Sequence, residues 1–490
     1  MIPLACPLTS RPDIPVCAPA SRSMRNLPRQ ETATVAVKEQ ICESVQHLIE
    51  LLAATPVNFD SDRLMLPVHS VSTDTRSLSS GDVFIALRGD RFDGHAFVAA
   101  AIAQGAVAAI VDHPVAVDLP LLVVPDTLQA YQAIAHRWRQ RFAIPVIAVT
   151  GSVGKTTTKE LIAAVLGTQG RVLKTQANYN NEIGVPKTLL ELNSEHDFAV
   201  IEMGMRAAGE IALLTQIACP DLAVITNVGT AHIGRLGSEA AIAQAKCELL
   251  AELPTGGIAV LNHDDSLLGS TAAQVWSGQT LTYGLEGGDL HGQLLNPETL
   301  LVNGLKLPLP LPGRHNALNY LAALAVAKLL NLDWTPLTQG LQVELPQGRS
   351  RRWDLAGDVV ILDETYNAGL ESMLAAIDLL AQTPGTRHIA VLGTMKELGD
   401  RSPDLHRQVG QAVSQRQFDR LLILADPLER AAMVEAAGAI AEPYTDVEAV
   451  VNRLLELVQP GDRLLFKASR AVGLDRAVEQ FRTRYANANS

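Results

Sequence analysis

The stretch IPVIAVTGSVGKTTTKELIAAVLG (144–167) constrains this chain more than any other. Its apolar opening is too short for a buried helix and runs into a glycine turn, so it reads as a buried strand. The Ala- and Leu-rich segment that follows reads as a helix. A strand that turns directly into a helix commits the chain to a sheet covered by helices. Further apolar strands recur at FAVIEMG (198–204), LAVITNVG (222–229) and GIAVLN (257–262), with helical stretches between, and LPGRHNALNYLAALAVAKLL (311–330) closes the unit with a long helix. The pattern predicts an α/β fold with a central doubly wound parallel sheet.

Two smaller units flank it. Ile41, Val45, Leu48, Ile49 and Leu52 fall at helical spacing and predict a helix over 39–54. VFIAL (83–87) and AVAAIV (106–111) read as strands around the helix HAFVAAAIAQG (95–105), a small α/β module ending near Phe142. Beyond the polar linker PQGRSRR (346–352), the strands VVILD (359–363), HIAVLG (388–393), RLLILAD (420–426) and RLLFKAS (463–469) predict a Rossmann-like C-terminal domain. The expected division is a leader at 1–38, an N-terminal domain at 39–142, a central domain at 143–346 and a C-terminal domain at 347–490. The leader is rich in Pro, Ser and Arg and lacks the apolar core of a secretory signal. It is expected to be disordered, or translation begins at Met24.

Composition excludes several functions. A net charge of −12 argues against broad binding to DNA or RNA. No apolar run approaches the ~20 residues of a membrane span. Cys6, Cys17, Cys42, Cys219 and Cys247 are scattered without a CxxC pair, which argues against zinc. A cytoplasmic protein with reduced thiols is the simplest reading.

The chemistry begins at Gly151-Ser152-Val153-Gly154-Lys155-Thr156-Thr157. Glycines let backbone N–H groups turn inward around phosphate oxygens, and the helix that follows aims its positive end at them. Lys155 would meet the β- and γ-phosphates and the Thr156 hydroxyl would hold Mg²⁺. The full phosphate-loop pattern places another glycine where Val149 stands, so a plain strand-to-helix turn is the competing reading. Three residues near the ends of later strands could choose the phosphoryl acceptor. Glu202 resembles a metal-binding acid one strand beyond the phosphate loop. His232 lies in NVGTAHIG, and Lys246 on a helix over 238–253 with Ser238 as N-cap and Ala241, Ile242, Ala245 and Leu249 as its apolar stripe. Taken singly, each also fits a helix cap, a loop histidine or a solvated lysine.

Taken in order, TGSVGKTTTKE, NYNNEIGVP (178–186), IEMG (201–204), NVGTAHIGRLGS (227–238), AKCE (245–248), LPGRHNALN (311–319) and DETYNA (363–368) resemble the Mur ligases, which build the peptidoglycan precursor. STDTRSLSSGDVFIALRGDRFDGHAF (72–97) is similar to their nucleotide-sugar-binding domain, so the likeness runs from about residue 40 to 480. QANYNNEIGVP, LPGRHN, DETYNA and GTMKELG (393–399) resemble the versions in ligases that add D-alanyl-D-alanine to UDP-N-acetylmuramoyl-tripeptide. The Asp-Asn-Pro-Arg string of the tripeptide synthetases is absent. Departures are Gly369-Leu370 after DETYNA, Cys247 in place of glycine, KASR (467–470) in place of KGSR, and Met205-Arg206 in place of Ala-Asn.

The resemblance implies an ATP-dependent amide ligase acting through an acyl phosphate, a cytoplasmic monomer with UDP-MurNAc-tripeptide and D-Ala-D-Ala as its partners. It implies Mg²⁺ held by Thr156, Glu202, His232 and Lys246, the last bearing a CO₂-derived carbamate. Neighbouring cations would favour the neutral amine that reacts with CO₂. Asn316 and Asn319, three apart on a helix start, resemble adenine-side residues, although capping explains them equally. Arg349 resembles an arginine that reaches the γ-phosphate on domain closure, and Asp363 and Tyr366 resemble ribose and adenine contacts. Asp74, Thr75 and Arg76 resemble part of the UDP side, where a local salt bridge is the alternative. Asn180 and Asn181 fall to the muramoyl-peptide side. A phosphotransferase or NTPase from another class stays open, and it predicts nucleotide hydrolysis without a sugar peptide.

Overall fold

The computed structural model describes residues 39–89, 92–115 and 118–488. The expected leader, with Cys6 and Cys17, lies outside them. Three sheets organise the chain. In the first, five strands lie in the order Thr55–Val57, Leu121–Val123, Ala108–Val111, Val83–Ile85, Val71–Ser72, parallel except for the first pair.

The second sheet has nine strands. Its parallel part runs Gln279–Gly284, Ile258–Asn262, Leu222–Ile225, Val146–Thr150, Phe198–Glu202, Val172–Lys174. Every residue of Val146–Thr150 is buried, because side chains alternate between two covered faces. Ile147 and Val149 pack with Leu161, Ile162 and Leu166 of the helix Lys155–Leu166 and with the helix Arg314–Leu329. Val146 and Ala148 face the opposite layer, with Ile211 and Leu214 of Glu210–Ala218 and Ile242 and Leu249 of Glu239–Ala251.

The third sheet runs Arg351–Leu355, Val359–Glu364, Asp462–Lys467, Arg387–Gly393, Arg420–Leu424, Ala441–Tyr444, parallel except at its first edge.

The alternation of buried strands and helices thus appears as read, with four differences. The first helix spans Val45–Leu52, capped by Ser44, whose side chain accepts from His47 N; Cys42 before it pairs with Val68 instead. The central sheet continues into an antiparallel meander, Leu290–Asn296, Thr299–Val302, Leu305–Pro308. Its alternating polar residues hid it from a search for fully apolar runs. The linker arginines Arg351 and Arg352 open an edge strand, where one solvated side tolerates them. Finally, Cys42 and Cys247 are free thiols but Cys219 is disulfide-bonded, so the expectation of reduced thiols fails at Cys219. No described helix is long and apolar enough to cross a membrane.

Candidate functional site

The helix Lys155–Leu166 starts from Gly154 at φ +84° with no side-chain cap. Its first N–H groups are therefore left for a ligand. Glycine is required twice in this loop. A Cβ on Gly151 would stand 1.9 Å from Thr226 Oγ1, and one on Gly154 would stand 2.6 Å from Asn319 Oδ1. Asn227, just past the strand Leu222–Ile225, holds the loop from behind. Its Oδ1 accepts from Val153 N at 2.9 Å, its Nδ2 donates to Val153 O at 2.9 Å, and its carbonyl accepts from Ser152 N at 3.0 Å. Lys155 Nζ donates to Gly151 O at 2.6 Å. Thr156 and Thr157 are buried at the helix start.

Glu202 ends the strand Phe198–Glu202 and is 3% exposed. Asn180 Nδ2 donates to its Oε1 at 2.8 Å, while Oε2 is buried with no hydrogen-bond partner. A carboxylate oxygen left bare in the interior is costly, and a cation is what satisfies it. This donor fits the expected divalent ion. His232 sits at φ +67° on the rim, and its Nδ1 lies 2.5 Å from Glu397 Oε2. Burial holds its pKa below the ordinary value, helped by Lys155 and opposed by Glu397.

Lys246 is 1% exposed on the helix Glu239–Ala251, whose N-cap Ser238 accepts from Ala241 N at 3.1 Å. Burial first, and then repulsion from Lys155, hold its pKa well below a lysine's usual range. The anticipated cause of a neutral amine, a neighbouring cation, is present, and burial, which lay outside that expectation, outweighs it. Lys155 is itself lowered, by burial first, with Glu202 opposing and Arg349 adding repulsion. Lys155 thus shares its field with Glu202, His232, Lys246 and Arg349.

The central and third sheets enclose a cleft of about 510 Å³, ample for a nucleotide. Ser152 to Thr157, Asn180, Asn181, Glu202, His232, Asn316, Asn319, Arg349 and Tyr366 all line it. Asn316 and Asn319 are tied together, since Asn319 Nδ2 donates to Asn316 Oδ1 at 3.3 Å. The Arg349 guanidinium stacks 4.0 Å over the Tyr366 ring, with Nε buried and unpartnered. Asn181 Oδ1 accepts from Gly184 N at 2.9 Å and so also fastens the start of a helix.

Some expected residues stay outside. Gly151 and Lys246 do not line the cleft. Asp363 is buried and spends Oδ1 on Thr365, accepting from its hydroxyl at 2.7 Å; Glu364 beside it lines the cleft instead. Asp74, Thr75 and Arg76 lie away from it, and Arg76 folds onto Asp74 with NH2 to Oδ2 at 2.7 Å. That bond holds the Asp74 pKa at about 2. Here the local salt bridge is what is seen.

Sequence reasoning passed over Asn227, Glu371, Glu397 and Lys467. Glu371 accepts from Thr230 N at 2.7 Å, across the boundary between the two sheets. Lys467 is buried and donates to Asn367 O at 3.0 Å. All four stand inside or beside quoted motifs; what was missing was their direction. Among the described residues, the one group of three His, Cys, Asp or Glu side chains close enough to share an ion is His95, Asp112 and His113. Arg88 already supplies the charge there, with NH2 3.2 Å from Asp112 and 3.0 Å from His113 Nδ1.

Residues 67–151 match the catalytic domain of the Mur ligase family, 149–327 the Mur ligase middle domain, and 348–470 the glutamate ligase domain. The chain is 56% identical over 440 residues to the UDP-N-acetylmuramoyl-tripeptide–D-alanyl-D-alanine ligase of Synechocystis sp., covering 89% of this chain and 96% of that one. The Escherichia coli ligase of the same name is 37% identical, covering 84% and 93%. Among solved structures, MurF from Acinetobacter baumannii superposes with a TM-score of 0.83 at 32% identity, covering 90% and 99%. MurF from Thermotoga maritima in complex with ADP gives 0.77 at 31%, covering 86% and 98%.

Proposed function

The chain belongs to the Mur ligase family, and from that premise we propose how its cleft divides the work. The enzyme is an ATP-dependent ligase that joins D-alanyl-D-alanine to UDP-N-acetylmuramoyl-tripeptide in peptidoglycan synthesis. A carboxylate is a poor electrophile, because its leaving group would be oxide. Phosphorylation by ATP turns it into an acyl phosphate; the dipeptide amine then attacks the carbonyl, the amide forms and phosphate leaves.

Lys155 leaves the Gly151 carbonyl for the β- and γ-phosphates, while the N–H groups at the helix start hold the same oxygens. Arg349 reaches the γ-phosphate from the other wall, and these cations offset the repulsion between carboxylate and phosphate. Asn316 and Asn319 serve the adenine side together with Tyr366. Asp363 contributes to the ribose side through the turn it fixes. Asn180 orients Glu202, and with Asn181 it borders the peptide path. Thr156, Glu202 and His232 would hold Mg²⁺, which supplies Lewis-acid charge to the phosphates. Lys246, as a CO₂-derived carbamate, would supply a further anion to that set. Asp74, Thr75 and Arg76 take the UDP end once Arg76 turns from Asp74 to a diphosphate.

One chain completes this cleft, so the enzyme acts as a monomer, in the cytoplasm where ATP and the sugar nucleotide meet. Its domains divide at 39–142, 143–346 and 347–490.

The observation that carries this reading is the buried, unpartnered Glu202 Oε2 in the same cleft as Lys155. The test is phosphate release from ATP and Mg²⁺ with UDP-MurNAc-tripeptide, with and without D-Ala-D-Ala. Release that needs both, with a product heavier by the dipeptide less water, is expected. Equal release from ATP alone would favour the phosphotransferase or NTPase class instead.

A further inference from the structure

The contact between His232 and Glu397 spans 165 positions of sequence and joins two sheets. Glu397 follows the strand Arg387–Gly393 of the third sheet, whereas His232 follows Leu222–Ile225 of the central one. Glu397 Oε2 meets His232 Nδ1 at 2.5 Å, Oε1 meets Arg235 NH2 at 3.0 Å, and its carbonyl accepts from Gly234 N at 3.1 Å.

Both backbones are unusual here. His232 and Glu397 each stand at φ +67°, a conformation that non-glycine residues adopt only when their surroundings enforce it. The two loops touch main chain to main chain. A Cβ on Gly234 would stand 2.5 Å from Gly399 N, and one on Gly399 would stand 2.9 Å from Gly234 Cα. Two disfavoured backbones held against each other at a cleft fix one side-chain geometry.

The chemistry of that geometry is specific. A carboxylate can only accept, so the ring proton sits on Nδ1 and the lone pair on Nε2. Histidines that bind metals usually donate their second nitrogen to such a partner. We propose that Glu397 is a positioning residue of the metal site: delivered by the third domain, it locks His232 in the tautomer and orientation that leave Nε2 open to a divalent cation. The proposal rests on the reading of His232 as a ligand. It makes metal affinity depend on docking of the third domain, because undocking removes Glu397 from the histidine.

Mn²⁺ is the probe. Its binding to the full chain with ADP is followed by electron paramagnetic resonance, and ring-nitrogen coupling to the ion reports direct ligation. In the intact protein the nitrogen coupling is expected. Glu397→Ala is expected to weaken Mn²⁺ binding by about 10- to 100-fold. Glu397→Gln, whose amide oxygen still accepts from Nδ1, is expected to restore most of it. His232→Ala should lose the coupling, and adding Glu397→Ala should cost nothing further, as for residues acting as one unit. Arg235→Ala removes part of the domain contact without touching the ring, and should keep wild-type affinity.

Glu397→Ala and Glu397→Gln with wild-type affinity, beside a His232→Ala that loses it, would overturn the positioning role and leave the ligand reading intact. Unchanged affinity and coupling in His232→Ala would overturn the ligand reading and this inference with it. Should Glu397→Ala fail to fold, the Gln variant carries the test, since a Gln variant as weak as His232→Ala also contradicts it.

Discussion

The exposed Asp74–Arg76 patch and the buried group of Lys155, Glu202 and Lys246 hold their charges in opposite ways. At Asp74–Arg76 the two side chains satisfy each other in the open, with the Arg76 side chain 89% exposed. Lys246, outside the cleft's lining, is 1% exposed and among the described residues has no carboxylate within salt-bridge distance, while Glu202 in the cleft keeps a bare oxygen. An exposed pair is cheap to form and cheap to exchange for a ligand. A buried group without its partner is costly, and folding tolerates it where chemistry needs a shifted group. On the proposed assignment of the two regions, the ATP side is built in advance, while the sugar-nucleotide side is recruited by exchange of partners.

Breaking the built side should therefore cost turnover, and breaking the recruited side should cost only affinity. The largest effect is expected for Lys155→Ala, a kcat loss of about 10³-fold in a coupled ADP-release assay, because it removes a charge aimed at the transferring phosphoryl group. A loss confined to KM would erase the contrast. Lys246→Ala comes next, with a kcat loss of about 10²-fold and substrate KM values little changed.

Lys246→Met sharpens the same point through stability. The folded pKa of Lys246 is lowered, so the unfolded chain binds the extra proton, and wild-type stability rises with pH toward the ordinary lysine value. The Met variant is expected to melt higher at neutral pH and to lack that slope. Parallel melting curves across pH would remove the case for a buried, depressed amine.

Asn227→Ala cuts both hydrogen bonds to Val153 and should raise the KM for ATP about 30-fold, at roughly 1 kcal/mol per bond. The smallest effect is expected for Arg76→Ala: a higher KM for the sugar nucleotide, with kcat and melting temperature unchanged. A fall in kcat there would place the patch in the chemistry after all.

The sequence carried the parallel sheets and the phosphate loop because fully apolar strands and a glycine turn leave few alternatives. It did not carry the meander over Leu290–Val302, where Gln293 and Thr299 alternate with buried Leu290 and Leu300, nor the edge strand hidden in an arginine-rich linker. At the site, Lys155, Glu202 and His232 stood out as residue types at strand ends. Asn227 and Glu397 did not, because their roles arise from contacts across 74 and 165 positions. Local spacing cannot show that asparagine grips a loop, or that a glutamate from another sheet meets a histidine. Asp363 illustrates the converse. Its motif is legible, yet the carboxylate turns inward to Thr365 and the cleft wall is left to Glu364.

If the cleft works as proposed, the carboxylate of the sugar peptide receives the γ-phosphoryl group there. The most direct measurement uses UDP-MurNAc-tripeptide with both oxygens of its acceptor carboxylate labelled with ¹⁸O, and weighs the phosphate released when D-Ala-D-Ala is added. One ¹⁸O is expected in each phosphate, carried over when the amine displaces it. Phosphate without label, alongside the same amide product, would contradict it.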